Sequence, residues 1–166
     1  STKPDVLEAA LRAYNGRPIV NSVNGEEKSL STVLPLVKKY GATVVGLTLD
    51  ENGIPKTAEE RFQIAKRIVE RAEALGIPRE DVFIDCLTLT VSAEQAACKE
   101  TLEGLHRVKT ELGCKTALGV SNISFGLPYR ELVNSTFLTM ALEEGLDLPI
   151  INPNVDSMTG AVRAFR

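Results

Sequence analysis

A chain of 166 residues with 43% apolar and 25% charged side chains has the make-up of one globular domain rather than of a disordered segment. Its 19 Lys+Arg against 22 Asp+Glu leave a net charge of −3, and no basic stripe marks a nucleic-acid surface. The apolar runs fall far short of the roughly 20 residues that a membrane crossing needs, and Ser1-Thr2-Lys3-Pro4 gives no sign of a signal peptide.

Taken in chain order, the sequence alternates two patterns. Pro4 opens a first helix that Asn15-Gly16 closes. Pro18–Val23 predicts a strand, and Lys28–Tyr40 a helix stopped by Gly41, with Pro35 marking a kink or a late start. A second strand falls at Thr43–Leu49. The clearest helix is Thr57–Leu75, where Phe62, Ala65, Ile68, Val69, Ala72 and Leu75 share one face. Thr57 with Glu60 forms its capping box, and Gly76 and Pro78 stop it. Val82–Leu87 is a third strand, and Ser92 with Gln95 predicts the start of a fourth helix that Gly113 ends. Thr116–Val120, a helix at Arg130–Glu144 closed by Gly145, and a weaker strand at Pro149–Ile151 follow, before a last helical stretch.

Strict alternation of β and α implies a parallel sheet with helical crossovers. Two architectures fit: an open doubly wound sheet, or part of a (β/α)8 barrel. Five strands suit the first directly, since a closed barrel typically needs about 250 residues.

The strands are apolar, but their C-terminal ends are not. Asn21, Ser22 and Asn24 end the first; Thr48 and Asp50 the second; Asp85 the third; Ser121 and Asn122 the fourth; Asn152 the fifth. In parallel α/β folds these ends converge where ligands bind. Asn and Asp also begin loops and cap helices, which accounts for Asn24, Asp50 and Asn152. Asn21, Asp85 and Asn122 follow their apolar runs with no turn residue between. The three cysteines (Cys86, Cys98, Cys114) show no CxxC spacing and read as plain buried thiols in a reducing, cytoplasmic setting. The single histidine, His106, lies in a helical segment and reads as a structural or surface residue. With no catalytic triad, strand-end lysine, paired carboxylates, GxxxxGK[ST] or GxGxxG, what remains is a cleft of amides with a carboxylate. Such a cleft suits a flat heterocycle rich in N–H donors and carbonyl acceptors.

These residues also resemble a known family. Arg17-Pro18-Ile19-Val20-Asn21-Ser22, Gly46-Leu47-Thr48 with Gly53-Ile54-Pro55, and Ile84-Asp85 are similar to the pterin-binding methyltransferases. So is Leu118-Gly119-Val120-Ser121-Asn122-Ile123-Ser124-Phe125-Gly126-Leu127-Pro128, followed by Arg130, Asn134, Phe137-Leu138 and Gly145-Leu146-Asp147. Among them the methyltetrahydrofolate:corrinoid protein methyltransferases look nearest, a group that includes the folate domain of cobalamin-dependent methionine synthase. The resemblance implies a TIM (β/α)8 barrel, of which this chain covers strands four to eight with their helices. Residues 1–166 are then part of a single pterin-binding domain whose first three strands and C-terminal end lie outside the chain. Ser1-Thr2 looks like the continuation of a strand-end Asp-Ser-Thr motif.

The implied reaction moves a methyl group between N5 of methyltetrahydrofolate and the cobalt of a corrinoid (cobalamin) held by a partner domain or protein, with no metal bound by this chain. By resemblance, Asn21 and Asp85 hydrogen-bond the pterin, Gly119 and Ser121 line its pocket, and Arg130 lies near the folate. Asn122 is the implied catalytic residue, contacting N5. Phe125 departs from relatives that are polar there. Two alternatives stay open: a dihydropteroate synthase-like condensation, and a barrel portion with no activity of its own. Self-association into a homodimer is also left open.

Overall fold

The order in which the strands lie side by side decides between the two architectures. In a computed structural model describing residues 3–165, five parallel strands form one sheet in the order β1-β2-β3-β4-β5. They are β1 (Ile19–Asn24), β2 (Thr43–Leu47), β3 (Val82–Asp85), β4 (Lys115–Gly119) and β5 (Leu148–Ile150). A doubly wound sheet reverses direction at a switch point; this one never does, as in the wall of a (β/α)8 barrel. Six α-helices alternate with the strands: α1 (Pro4–Ala13), α2 (Glu27–Tyr40), α3 (Ala58–Ala74), α4 (Ala97–Arg107), α5 (Arg130–Glu143) and α6 (Asp156–Phe165). Ser1-Thr2, read above as continuing a strand-end motif, lies outside the described residues.

Local chemistry explains most helix boundaries. Thr57 accepts from the Glu60 amide while the Glu60 carboxylate accepts from the Thr57 amide, the full capping box. Gly41 and Gly113 end their helices with φ of 61° and 63°, a left-handed turn that costs glycine little. Pro35 stands on the solvent side of α2, and the helix runs through it. Leu75, placed on the apolar face by its spacing, is instead exposed at the helix end.

One expected boundary is wrong. The fourth helix starts at Ala97, not at Ser92, and Ser92 caps nothing. Its hydroxyl donates to the Phe125 carbonyl (2.8 Å), an acceptor on the far side of β4 that no local pattern reveals. The helix then continues through a π-helical turn, Val108–Leu112.

The core lies between sheet and helices. Val20, Val44, Val82, Ile84 and Leu118 meet Leu30, Leu34, Val37, Ile68, Val69, Leu105 and Leu138, all nearly or fully buried. Burying each such side chain stabilises the fold by about 1.5–3 kcal/mol. At Gly46, packing is so close that a Cβ would fall 2.9 Å from Ile68 Cγ2 on α3.

Candidate functional site at the strand ends

Because side chains alternate along a strand, the helix-facing set fixes which residues turn the other way. Asn21 pairs with Val45, Val45 with Phe83, Leu47 with Asp85, and Asp85 with Ala117. These occupy the positions between the core residues, so Asn21, Asp85 and Gly119 share the sheet face opposite the helices. In register, Asp85 lies two residues beyond the partner row of Asn21 and two strands over. A barrel of shear eight advances about one residue per strand, so that offset brings Asn21 and Asp85 to the same height. A register shift between Asn21 and Val23 interrupts β1 at this level.

Asp85 is the chemical centre of this face. It is 7% exposed, and its Oδ1 accepts from the Leu87 amide at 2.8 Å. No cation pairs with it among the described residues. Burial therefore pushes its acid up to about 6 from an ordinary 3.8, opposed only by the Leu87 hydrogen bond. At pH 7 it is a carboxylate with vacant acceptor positions, suited to a pair of N–H donors. Leu87 itself has φ 61°, a left-handed conformation that costs a non-glycine residue about 1–2 kcal/mol.

Asn122 sits in a 3₁₀ turn, Val120–Ser124, that follows β4. Its Nδ2 lies 3.2 Å from where a Cβ on Gly119 would stand, so the amide folds over the glycine on the Asp85 side of the sheet. Arg130 holds this turn. Its Nε donates to Ser124 Oγ (2.9 Å) and its Nη2 to the Ser121 carbonyl (3.1 Å), while its guanidinium stacks 4.8 Å from the Phe125 ring centre. The structure thus brings Asn21, Asp85, Gly119 and Asn122 to one face, with Ser121 in the turn that carries Asn122 and Arg130 at the start of α5 beside it. The exposed Phe125 takes part through its backbone carbonyl and ring.

Sequence reasoning missed how the loops are tied. The Val91 amide donates to the Ile123 carbonyl (3.1 Å), and Thr90 Oγ1 and Ser92 Oγ both donate to the Phe125 carbonyl. These bonds join the loop after Asp85 to the loop bearing Asn122. Thr88, three residues past Asp85, has a buried hydroxyl with no partner among the described residues. Arg61 of α3 is fully buried and reaches the carbonyls of Cys86 and Leu87. Only the apolar surroundings of its helix hinted at that, since arginine normally marks a wet face.

The other titratable groups stand apart. Cys86 is turned toward Gly104 of α4, and burial beside Asp85 pushes its thiol up, which keeps it protonated and inert. His106 is exposed, its Nδ1 2.9 Å from Glu144 at the C-cap of α5. Among the described residues no group of His, Cys, Asp and Glu is arranged to hold a metal ion, and no helix is long and apolar enough to cross a membrane. A cleft of about 530 Å³ along α1 and β1 reaches Asn21 but contains neither Asp85 nor Asn122; the chemistry sits on the open sheet face instead.

A sequentially ordered parallel barrel wall, with amides and one unpaired carboxylate at its C-terminal strand ends, defines an α/β-barrel protein with a polar site at those ends. Comparison with known proteins narrows the class. Residues 1–152 match the family described as pterin binding enzyme, and the chain belongs to that family. It is 36% identical over 165 residues to the methionine synthase of Mycobacterium leprae, covering 92% of this chain and 14% of that protein. It is 32% identical over 169 residues to the methylcorrinoid:tetrahydrofolate methyltransferase of Eubacterium limosum, covering 99% of this chain and 62% of that one. The chain therefore spans less than two thirds of either relative. Among solved structures, the dihydropteroate synthase of Xanthomonas albilineans in complex with 7,8-dihydropteroate superposes with a TM-score of 0.77 at 21% identity. That match covers 99% of this chain and 63% of that one, and it confirms the barrel architecture.

Proposed function

We propose that this chain contributes most of the pterin pocket of an enzyme that moves a methyl group between N5 of methyltetrahydrofolate and a corrinoid carried by another domain or protein. On this reading residues 1–166 belong to one barrel domain. The observation that carries it is the unpaired, buried Asp85 carboxylate on the same face as Asn122. Asp85 accepts from the ring N–H and exocyclic amine of the pterin, a pair of donors that matches its vacant acceptor positions. Asn21 supplies a further hydrogen bond from the neighbouring strand row, and Ser121 and Gly119 form the wall beneath the ring.

The corrinoid, when bound, supplies the methyl acceptor; this chain's own residues handle the pterin. As the bond from N5 to the methyl carbon breaks, N5 must be stabilised by a proton or an equivalent hydrogen bond, because a tertiary amine is a poor leaving group. An amide suits this position, since it can donate or accept by rotation without titrating. Gly119 lets the Asn122 amide lie close against the sheet. The bonds from Arg130 to Ser121 and Ser124 keep that amide from swinging away. Condensation of the dihydropteroate synthase kind shares the fold, but identities of 32–37% lie with the methyltransferases.

The test is single-turnover methyl transfer to a reduced corrinoid protein, alongside calorimetric titration of methyltetrahydrofolate into the full-length polypeptide. Asn122→Ala should slow transfer about 10²–10³-fold, the usual effect of removing one preorganised donor, while the folate Kd changes less than tenfold. An unchanged transfer rate would remove Asn122 from the mechanism, and absence of folate binding by the parent would end the reading.

A further inference from the structure

Arg61 is the largest fully buried side chain in the molecule, yet no carboxylate pairs with it among the described residues. A buried guanidinium without a counter-ion is expensive, and its bonds show where it is directed. Nε donates to the Pro55 carbonyl in the loop after β2 (3.0 Å). Nη1 faces the Cys86 carbonyl (3.0 Å), the Leu87 carbonyl (3.2 Å) and Thr101 Oγ1 on α4 (2.9 Å). Thr101 Oγ1 itself lies 3.1 Å from the Leu87 carbonyl. The Nη1 contacts converge on the two residues that follow Asp85.

We propose that Arg61 is a positioning residue for Asp85: by holding the Cys86 carbonyl it fixes the peptide plane between Cys86 and Leu87, whose opposite end, the Leu87 N–H, grips the Asp85 carboxylate. Without that bond the Cys86–Leu87 peptide plane is free to rotate, and its N–H then turns away from Oδ1. The clamp acts through backbone, since Arg61 makes no direct contact with the carboxylate. Its bond to Pro55 also ties the β2 loop to the same point, so two neighbouring strand ends share one anchor. The inference rests on the pterin reading of the site and adds the residue that keeps its principal acceptor aimed.

The experiment uses the full-length polypeptide, with tetrahydrofolate as probe. Affinity is measured by calorimetry from pH 5 to 8, well below each variant's melting temperature. Arg61→Met should raise Kd at least tenfold at pH 7.5 and move the midpoint of the pH–affinity curve upward, because the carboxylate loses the amide that favours its charged form. In an Asp85→Asn background, Arg61→Met should add less than twofold. A merely structural arginine predicts otherwise: a lower melting temperature with Kd within twofold and an unmoved midpoint, and that result overturns the proposal. Should Arg61→Met not fold, Arg61→Lys is read by the same criteria, as it keeps the charge but cannot reach all the acceptors at once. Parent protein that binds no tetrahydrofolate sinks the pterin reading, and this inference with it.

Discussion

Asp85 makes the fold less stable at neutral pH than the same fold with an amide in its place. Its acid is raised from 3.8 to about 6 by burial, so the folded state holds that proton more tightly than the unfolded one. Below pH 3.8 both states are protonated and the carboxylate costs nothing. As pH climbs from 3.8 to 6 the unfolded chain ionises first, and above 6 the whole penalty is present. At 1.36 kcal/mol per pH unit, the gap corresponds to about 3 kcal/mol. Asp85→Asn removes the titration and keeps an oxygen for the Leu87 amide, though it buries an NH2 that needs a partner. The variant should therefore be more stable than the parent by about 1–3 kcal/mol at pH 7.5 and equal to it within error at pH 4. Urea unfolding followed by circular dichroism at the two pH values measures this directly. A variant less stable than the parent at pH 7.5, or a difference that does not depend on pH, would refute the picture of an unpaired buried carboxylate.

Three further outcomes follow from the same geometry. Tetrahydrofolate affinity should fall about tenfold per pH unit below 6, because binding to ring N–H donors requires Asp85 ionised; calorimetry between pH 4.5 and 8 checks it, and Asp85→Asn should flatten the curve. Gly119→Ala places a methyl 3.2 Å from Asn122 Nδ2, so it should slow single-turnover methyl transfer by about tenfold or more with little change in melting temperature. Gly46→Ala forces a methyl to 2.9 Å from Ile68 Cγ2, and should destabilise the fold by about 1–3 kcal/mol while leaving the pH midpoint of folate binding where it was.

The alternation of strands and helices was legible because each strand is a short apolar run and most helices carry their own stop signals. Thr57, Glu60, Gly41 and Gly113 act within a few residues of themselves, and short-range chemistry of that kind survives reading in one dimension. The barrel-like order was not legible from periodicity, since the same alternation serves a doubly wound sheet; the resemblance supplied it. The strand-end amides and Asp85 stood out because polar residues interrupt otherwise apolar runs. What stayed hidden depends on partners far along the chain. Ser92 looks like a helix cap until the Phe125 carbonyl is beside it. Arg61 looks like a solvated helix residue until the carbonyls that follow β3 close over it. Leu75 continues an apolar spacing but falls at the C-cap of α3, where it is exposed.

The central assertion is that one reduced pterin ring touches both Asp85 and Asn122. A crystal structure of the full-length polypeptide with methyltetrahydrofolate tests it most directly. The ring N–H and exocyclic amine should stand about 3 Å from the Asp85 carboxylate, with N5 at about the same distance from the Asn122 amide. A folate bound elsewhere on the barrel, or one whose N5 lies beyond the reach of Asn122, would contradict the account.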